Sequence, residues 1–250
     1  MSADLVTYLL RLADDNLILG QRLGALVSRM PDLEEDIAVA NVGLDHIGQA
    51  RHLLAYAAEV EGAGRNEDDL AMLRDERAFL NSVLVEQPDI DFAHTMARQL
   101  FVDAYQVPLY RALSSSTDAT LAGIAQKASK EADYHLRRSA TWVVRLGDGT
   151  EESHRRMQAA VTEMWKYVDD LFWTDHVEAS LQSTGVAPDL GPIRAQFNAT
   201  IAEVLADATV QLPDDPYQRI GGRTGFHTEH LGHLLPEMQS LYRAHQGAEW

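Results

Sequence analysis

Four acidic residues stand where a helical metalloprotein could use them: Asp15, Asp45, Asp103 and Glu131. Each lies in a long segment with helical periodicity. A di-iron carboxylate bundle takes one acid from each of two helices and a Glu-x-x-His pair from each of the other two. The acids are present here, but the histidines are not. Three residues beyond Asp45 stands Gly48, which has no ligating atom. Three beyond Glu131 stands Tyr134, an uncommon ligand for such centres. The pattern predicts a vestigial di-metal position, with no catalytic residue and no metal ligand in this chain. A rival reading is a self-sufficient di-metal oxidase built on Asp15, Asp45, Asp103, Glu131 and His135. A third is a stand-alone binding or storage bundle.

Spacing gives these acids a geometry. Asp15 and Asp45 are equidistant from Met30, beside the helix-breaking Pro31. Asp103 and Glu131 are equidistant from Thr117, in the polar run Ser114 to Asp118. Equidistant residues of an antiparallel helix hairpin sit at similar height. Two hairpins packed together would therefore gather four carboxylates at one level. Buried acids are costly unless paired, hydrogen-bonded or metal-bound. Asn, Gln, Tyr and His neighbours, with Lys130 or Arg51, are expected to satisfy them, and Asp45 and Glu131 to be structural.

The elements that must position them are helices. Leu5, Leu9, Leu12, Asn16, Leu19, Leu23 and Leu26 draw one stripe down a helix over 4–29, with Asp15 on its flank. Asp32 with Glu35 three residues on predicts a helix start, and Gly62 a stop near Glu61. Its inward strip reads Asn41, Asp45, Gly48 and His52. A short helix is expected over 68–80, a third long helix over 91–113 with Pro108 near its end, and a fourth over 117–146. Gln99, Asp103 and Gln106 line up with Met96 and Tyr110 on the third. Glu131 and His135 line up with Ala128 and Trp142 on the fourth. Further helices are expected over 150–182 and 190–208, and from Thr228 onward. Residues 212–225 read as a loop. Its glycines follow no strand and lack the Lys-Ser/Thr of a phosphate loop. The organisation is one domain over 1–250, with a core bundle at 4–146 and accessory helices at 150–250.

Two other constellations carry weaker signals. Glu151-x-x-His154 opens a helix after Thr150, where an acid favours the positive helix end, so a capping role is expected. His227, His230 and His233 recur every third residue. Zinc there lacks an enclosing acid–histidine pair, and a packing or interface role is expected. Trp165, Tyr167, Phe172 and Trp173 are expected in the core or at an interface between chains.

Composition narrows the functions. Net charge is −17, from 21 basic and 38 acidic residues. Such a field repels nucleic acid. The absence of cysteine removes disulfides and cysteine-held iron–sulfur clusters. No apolar run reaches membrane-spanning length and no secretory signal is visible, so a cytoplasmic protein is expected.

The stretches LADDNLILGQRL (12–23), LEEDIAVANVGLDHIGQARHLL (33–54), KEADYHLRRSATWVVRLGDGTEESHRRM (130–157) and GGRTGFHTEHLGHLLPEMQSLYR (221–243) carry a resemblance. In order and nearly end to end, they resemble the C-subunit family of the bacterial phenylacetyl-CoA epoxidase, a multicomponent ring-oxidising monooxygenase of phenylacetate breakdown. The resemblance implies an all-α, ferritin-like bundle that is a non-catalytic structural subunit. It implies a homologous catalytic A subunit with the di-iron centre, a B subunit, and a separate reductase with flavin and iron–sulfur groups. It assigns no cofactor and no catalytic residue to this chain.

Overall fold

The computed structural model describes residues 2–214, 217–246 and 248. Among them are nine α-helices, three short 3-10 segments and no strand. The core is two helix hairpins: α1 (Ser2–Gly24) packs along α2 (Leu33–Glu61), and α4 (Phe92–Leu113) along α5 (Ala119–Gly147). The architecture is all-α and ferritin-like.

Local chemistry places the ends. The Asp32 carboxylate accepts from the Glu35 amide at 2.8 Å, starting α2, and Gly62 ends it in the left-handed region at φ 66°. Asp91 and Asp118 cap α4 and α5 in the same way as Asp32. The Pro31 break ends the first hairpin's turn, although α1 stops at Gly24 and the residues before Pro31 form turns. Pro108 lies inside α4 without ending it.

Helix α4 is the axis of the molecule. Nearly every residue from Ala93 to Tyr110 is buried, because α5, α6 (Glu151–Trp165) and α8 (Leu190–Asp207) all pack on it. Phe101, Trp165, Phe172 and Phe197 fill that junction with rings 5.2–6.4 Å apart. Trp165 stacks on Phe197, and the other contacts are tilted or edge-to-face.

The helix expected over 150–182 is three pieces. After α6 come a 3-10 segment at Val168–Phe172 and α7 (His176–Ser183). Asp170 explains the break. Its buried carboxylate accepts the amides of Val83 at 2.7 Å and Gly221 at 2.8 Å, holding this strip to two loops. Asp175 then restarts the chain, with Glu178 closing a capping box. The short α3 (Glu67–Met72) and a 3-10 segment at Glu76–Ala78 replace the single helix expected over 68–80, and α9 spans Glu229–Ala244. No helix is long and apolar enough to cross a membrane among the described residues.

Candidate functional site

The bundle centre is polar, and its members differ from the four expected acids. Asn16 of α1 anchors it. Its amide nitrogen donates to the Leu12 carbonyl and to the Tyr110 hydroxyl, both at 2.8 Å. Its Oδ1 faces His46 Nδ1 at 2.8 Å and Gln106 Nε2 at 3.2 Å. Tyr110 donates onward to Gln49 Oε1 at 3.0 Å, and Gln49 donates to Glu131 at 2.8 Å. Beside this relay, Ser139 donates to Asp103 Oδ2 at 2.7 Å, and His135 Nε2 lies 3.0 Å from Asp45 Oδ2. The His46 and His135 rings are 5.0 Å apart.

The four acids are therefore not assembled. Asp15 points away, into an ion pair with Arg223. Asp45 and Glu131 are only part-buried, at the rim of the centre. Asp103 alone is inside, and it meets Ser139 rather than Glu131. Eight residues, about 12 Å of helix rise, separate those two partners. Gly48 would meet nothing with an added Cβ, and Tyr134 is half exposed. The strip assigned to α2 is also rotated. Asn41 and His52 are exposed, while Val39, Val42, His46, Gln49 and Leu53 face inward. Residues 16 and 46 sit one position beyond the expected 15 and 45. The hairpin height holds, and α1 keeps the expected stripe with Asn16 inside it, but α2 is turned by one residue, about 100°, so that His46 faces in where Asp45 was expected. Lys130 and Arg51 do not serve the centre; Arg51 pairs with Glu67 at the surface.

Burial dominates the electrostatics. It pushes the Asp103 carboxyl up to about 6, against the opposing pull of His135, Ser139 and Arg138. It holds His46 well below the ordinary imidazole range, helped by His135 and Arg98. A di-iron carboxylate centre needs about four carboxylates and two histidines. This centre offers one buried carboxylate, two histidines and the neutral amides of Asn16, Gln49 and Gln106. The residues do not fit two iron ions.

The remaining polar groups brace the C-terminal region. Arg223 grips both Asp15 oxygens, at 2.9 and 2.7 Å, and donates to the carbonyls of Arg11 and Leu80. Arg11 binds Asp175 and Glu178, and Arg74 pairs with Asp14. Glu86 is wholly buried and collects Asn81, Thr228 and His227. Of the histidine triplet, His227 thus binds Glu86 at 2.8 Å and the Phe79 carbonyl at 2.9 Å, while His233 is exposed. His154 lies against the Gly147 carbonyl at 2.7 Å, a packing role.

His227 yields a pH prediction. Burial works to lower its pKa, but the hydrogen bond and charge of Glu86 outweigh it, and the net shift is upward. The protonated ring is thus favoured in the folded chain. Its stabilisation is complete below the ordinary value of 6.5 and is lost as pH rises through the raised folded value. The urea midpoint should fall as pH climbs from ~6 to ~9, and His227→Gln should flatten that slope. An unchanged slope in the variant would refute the assignment.

An all-α bundle of two hairpins around a polar centre with too few carboxylates for two irons defines a class: a di-metal-type bundle without the full ligand set. Comparison with known proteins gives the family. The model of the phenylacetic acid catabolic protein family matches residues 1–250, and the chain belongs to that family. It is similar to the C subunit of the 1,2-phenylacetyl-CoA epoxidase of Escherichia coli (strain K12), with 48% identity over 246 residues, covering 98% of this chain and 99% of the relative.

Proposed function

We propose that the chain is the structural, non-catalytic subunit of a phenylacetyl-CoA epoxidase of aerobic phenylacetate catabolism. The observation that carries this is the bundle centre: Asn16, Gln49 and Gln106 occupy it beside a single buried acid, Asp103. Oxygen chemistry then belongs to a homologous A subunit with a di-iron centre. Electrons come from a separate flavin and iron–sulfur reductase, in keeping with a cysteine-free chain, and the assembly also includes a B subunit. The similarity to the C subunit of the Escherichia coli epoxidase supports the reading.

A surface feature supports it as well. Leu33, Ile37, Leu44 and Ile47 are all exposed on α2, at 70, 54, 68 and 36%. Their spacing puts them on one outer face of the helix. An apolar stripe of this kind on an acidic protein marks a contact surface, and a second helical bundle is its natural occupant.

The test is reconstitution from separately purified components. Epoxidation of phenylacetyl-CoA should require this chain, the A subunit and the reductase together, and this chain with the reductase should give none. Full turnover without this chain defeats the proposal. Turnover by this chain and the reductase alone establishes the self-sufficient oxidase instead.

A further inference from the structure

The bundle centre gathers buried polar atoms that have no hydrogen-bond partner among the described residues. His46, Asp103 and His135 come from three helices, α2, α4 and α5, and all are buried, at 0, 1 and 1% exposure. One ligand-type atom from each lies within 4.8 Å of the other two. Three of their atoms have no partner: His46 Nε2, Asp103 Oδ1 and His135 Nδ1.

Neighbouring bonds fix what those atoms present. The Leu12 carbonyl can only accept, so the Asn16 amide nitrogen faces it and Asn16 Oδ1 faces His46. His46 Nδ1 therefore carries the proton, and Nε2 of the neutral ring is a lone pair. His135 Nε2 donates to the Asp45 carboxylate, and Nδ1 of the neutral ring is then a lone pair. Ser139 occupies Asp103 Oδ2, and Oδ1 remains free. The Gln106 Oε1 is also a buried acceptor without a partner, one turn along the same helix.

Buried acceptors left without a donor are costly. A cation removes the cost. Imidazole nitrogens held by a carboxylate or carbonyl on their far side are the usual form of a metal-ligating histidine. Two histidines and one carboxylate suit a single first-row divalent ion such as Zn2+ or Fe2+. A tetrahedral ion with bonds of ~2.1 Å sets its ligands roughly 3.4 Å apart, which modest side-chain movement achieves from the present spacing.

We propose that His46 Nε2, Asp103 Oδ1 and His135 Nδ1 bind one divalent transition-metal ion, which ties α2, α4 and α5 together at the bundle centre. This departs from the expectation of a metal-free chain. It leaves the ion a structural role and does not depend on the partner assignment, because the test uses this chain alone.

The chain is stripped with chelator and dialysed against micromolar Zn2+ or, without oxygen, Fe2+. Bound metal is counted by elemental analysis, Co2+ is added as a spectroscopic probe, and thermal unfolding is followed with and without Zn2+. One ion per chain, visible Co2+ ligand-field bands, and a Tm rise of about 5–10 °C at 100-fold excess over Kd are expected. Asp103→Asn supplies a donor among the unpaired acceptors. It should raise the Tm of the metal-free chain and abolish the Zn2+ increment, a crossover that mere misfolding cannot produce. His135→Gln should also lose the increment. Less than 0.1 ion per chain, an ordered water bridging the three side chains in a crystal grown with Zn2+, or binding retained in both variants would overturn the proposal. Two ions per chain would overturn it in favour of the di-metal oxidase.

Discussion

Replacing Arg223 with Met should destabilise the chain by about 3–5 kcal/mol, the usual cost of removing one partner from a buried ion pair. Asp15 and Arg223 are both nearly inaccessible, with 5 and 4% of their side chains exposed. Burial already raises the Asp15 pKa despite the arginine beside it. Without the guanidinium, only the Ser82 amide at 2.7 Å remains, among the described residues, to hold the carboxylate. The carbonyls of Arg11 and Leu80 lose a donor at the same time. Adding Asp15→Asn to the Met variant should recover part of the loss, because the uncompensated charge is then gone. Urea unfolding of the two single variants and the double variant measures the coupling. A cost below about 1 kcal/mol for Arg223→Met would show that the pair is not the brace described.

That brace was invisible in the sequence for a simple reason. Arg223 and Asp15 are 208 residues apart, and no local pattern links them. Local signals fared better. Asp32 caps the helix whose start it predicted, since an N-cap acts within three residues, and Asp91 and Asp118 cap α4 and α5 within two residues of their expected starts. The Asp175–Glu178 capping box was equally local and was available to divide the 150–182 stretch.

The bundle centre was half legible. Asn16 lay in the apolar stripe of α1, and Gln99, Asp103 and Gln106 were correctly placed inside α4. Helix α2 defeated the same method because it carries two apolar faces. Val39, Val42, Leu53 and Leu54 pack inward, while Leu33, Ile37, Leu44 and Ile47 face out. Periodicity alone cannot say which face meets the core. His46 and Gln49 were missed for that reason. A search for acids also overlooks them, since the centre is made mainly of amides, imidazoles and a phenol. Their signal was the height match to Asn16 across the Pro31 turn.

The outer face of α2 is the basis of the last prediction. The stripe from Leu33 to Ile47 runs about 21 Å along the helix, long enough to line one edge of an obligate interface, which commonly buries over ~2,000 Å². Ile37→Glu with Leu44→Glu places two charges in the middle of that stripe. Both positions are exposed, so the isolated chain should unfold within about 0.5 kcal/mol of the parent per site. In the proposed assembly each carboxylate would be buried unpaired against an apolar partner, a heavy penalty. Kd for the proposed A-subunit partner should rise at least ~100-fold, the equivalent of two substantial interface contacts, and turnover at micromolar protein should fall with it. Leu241→Glu on α9, at an equally exposed leucine, should leave co-elution intact. If the double variant co-elutes and turns over like the parent, this face is not the docking surface. If only the Leu241→Glu variant fails to assemble, the partner sits on the C-terminal side instead.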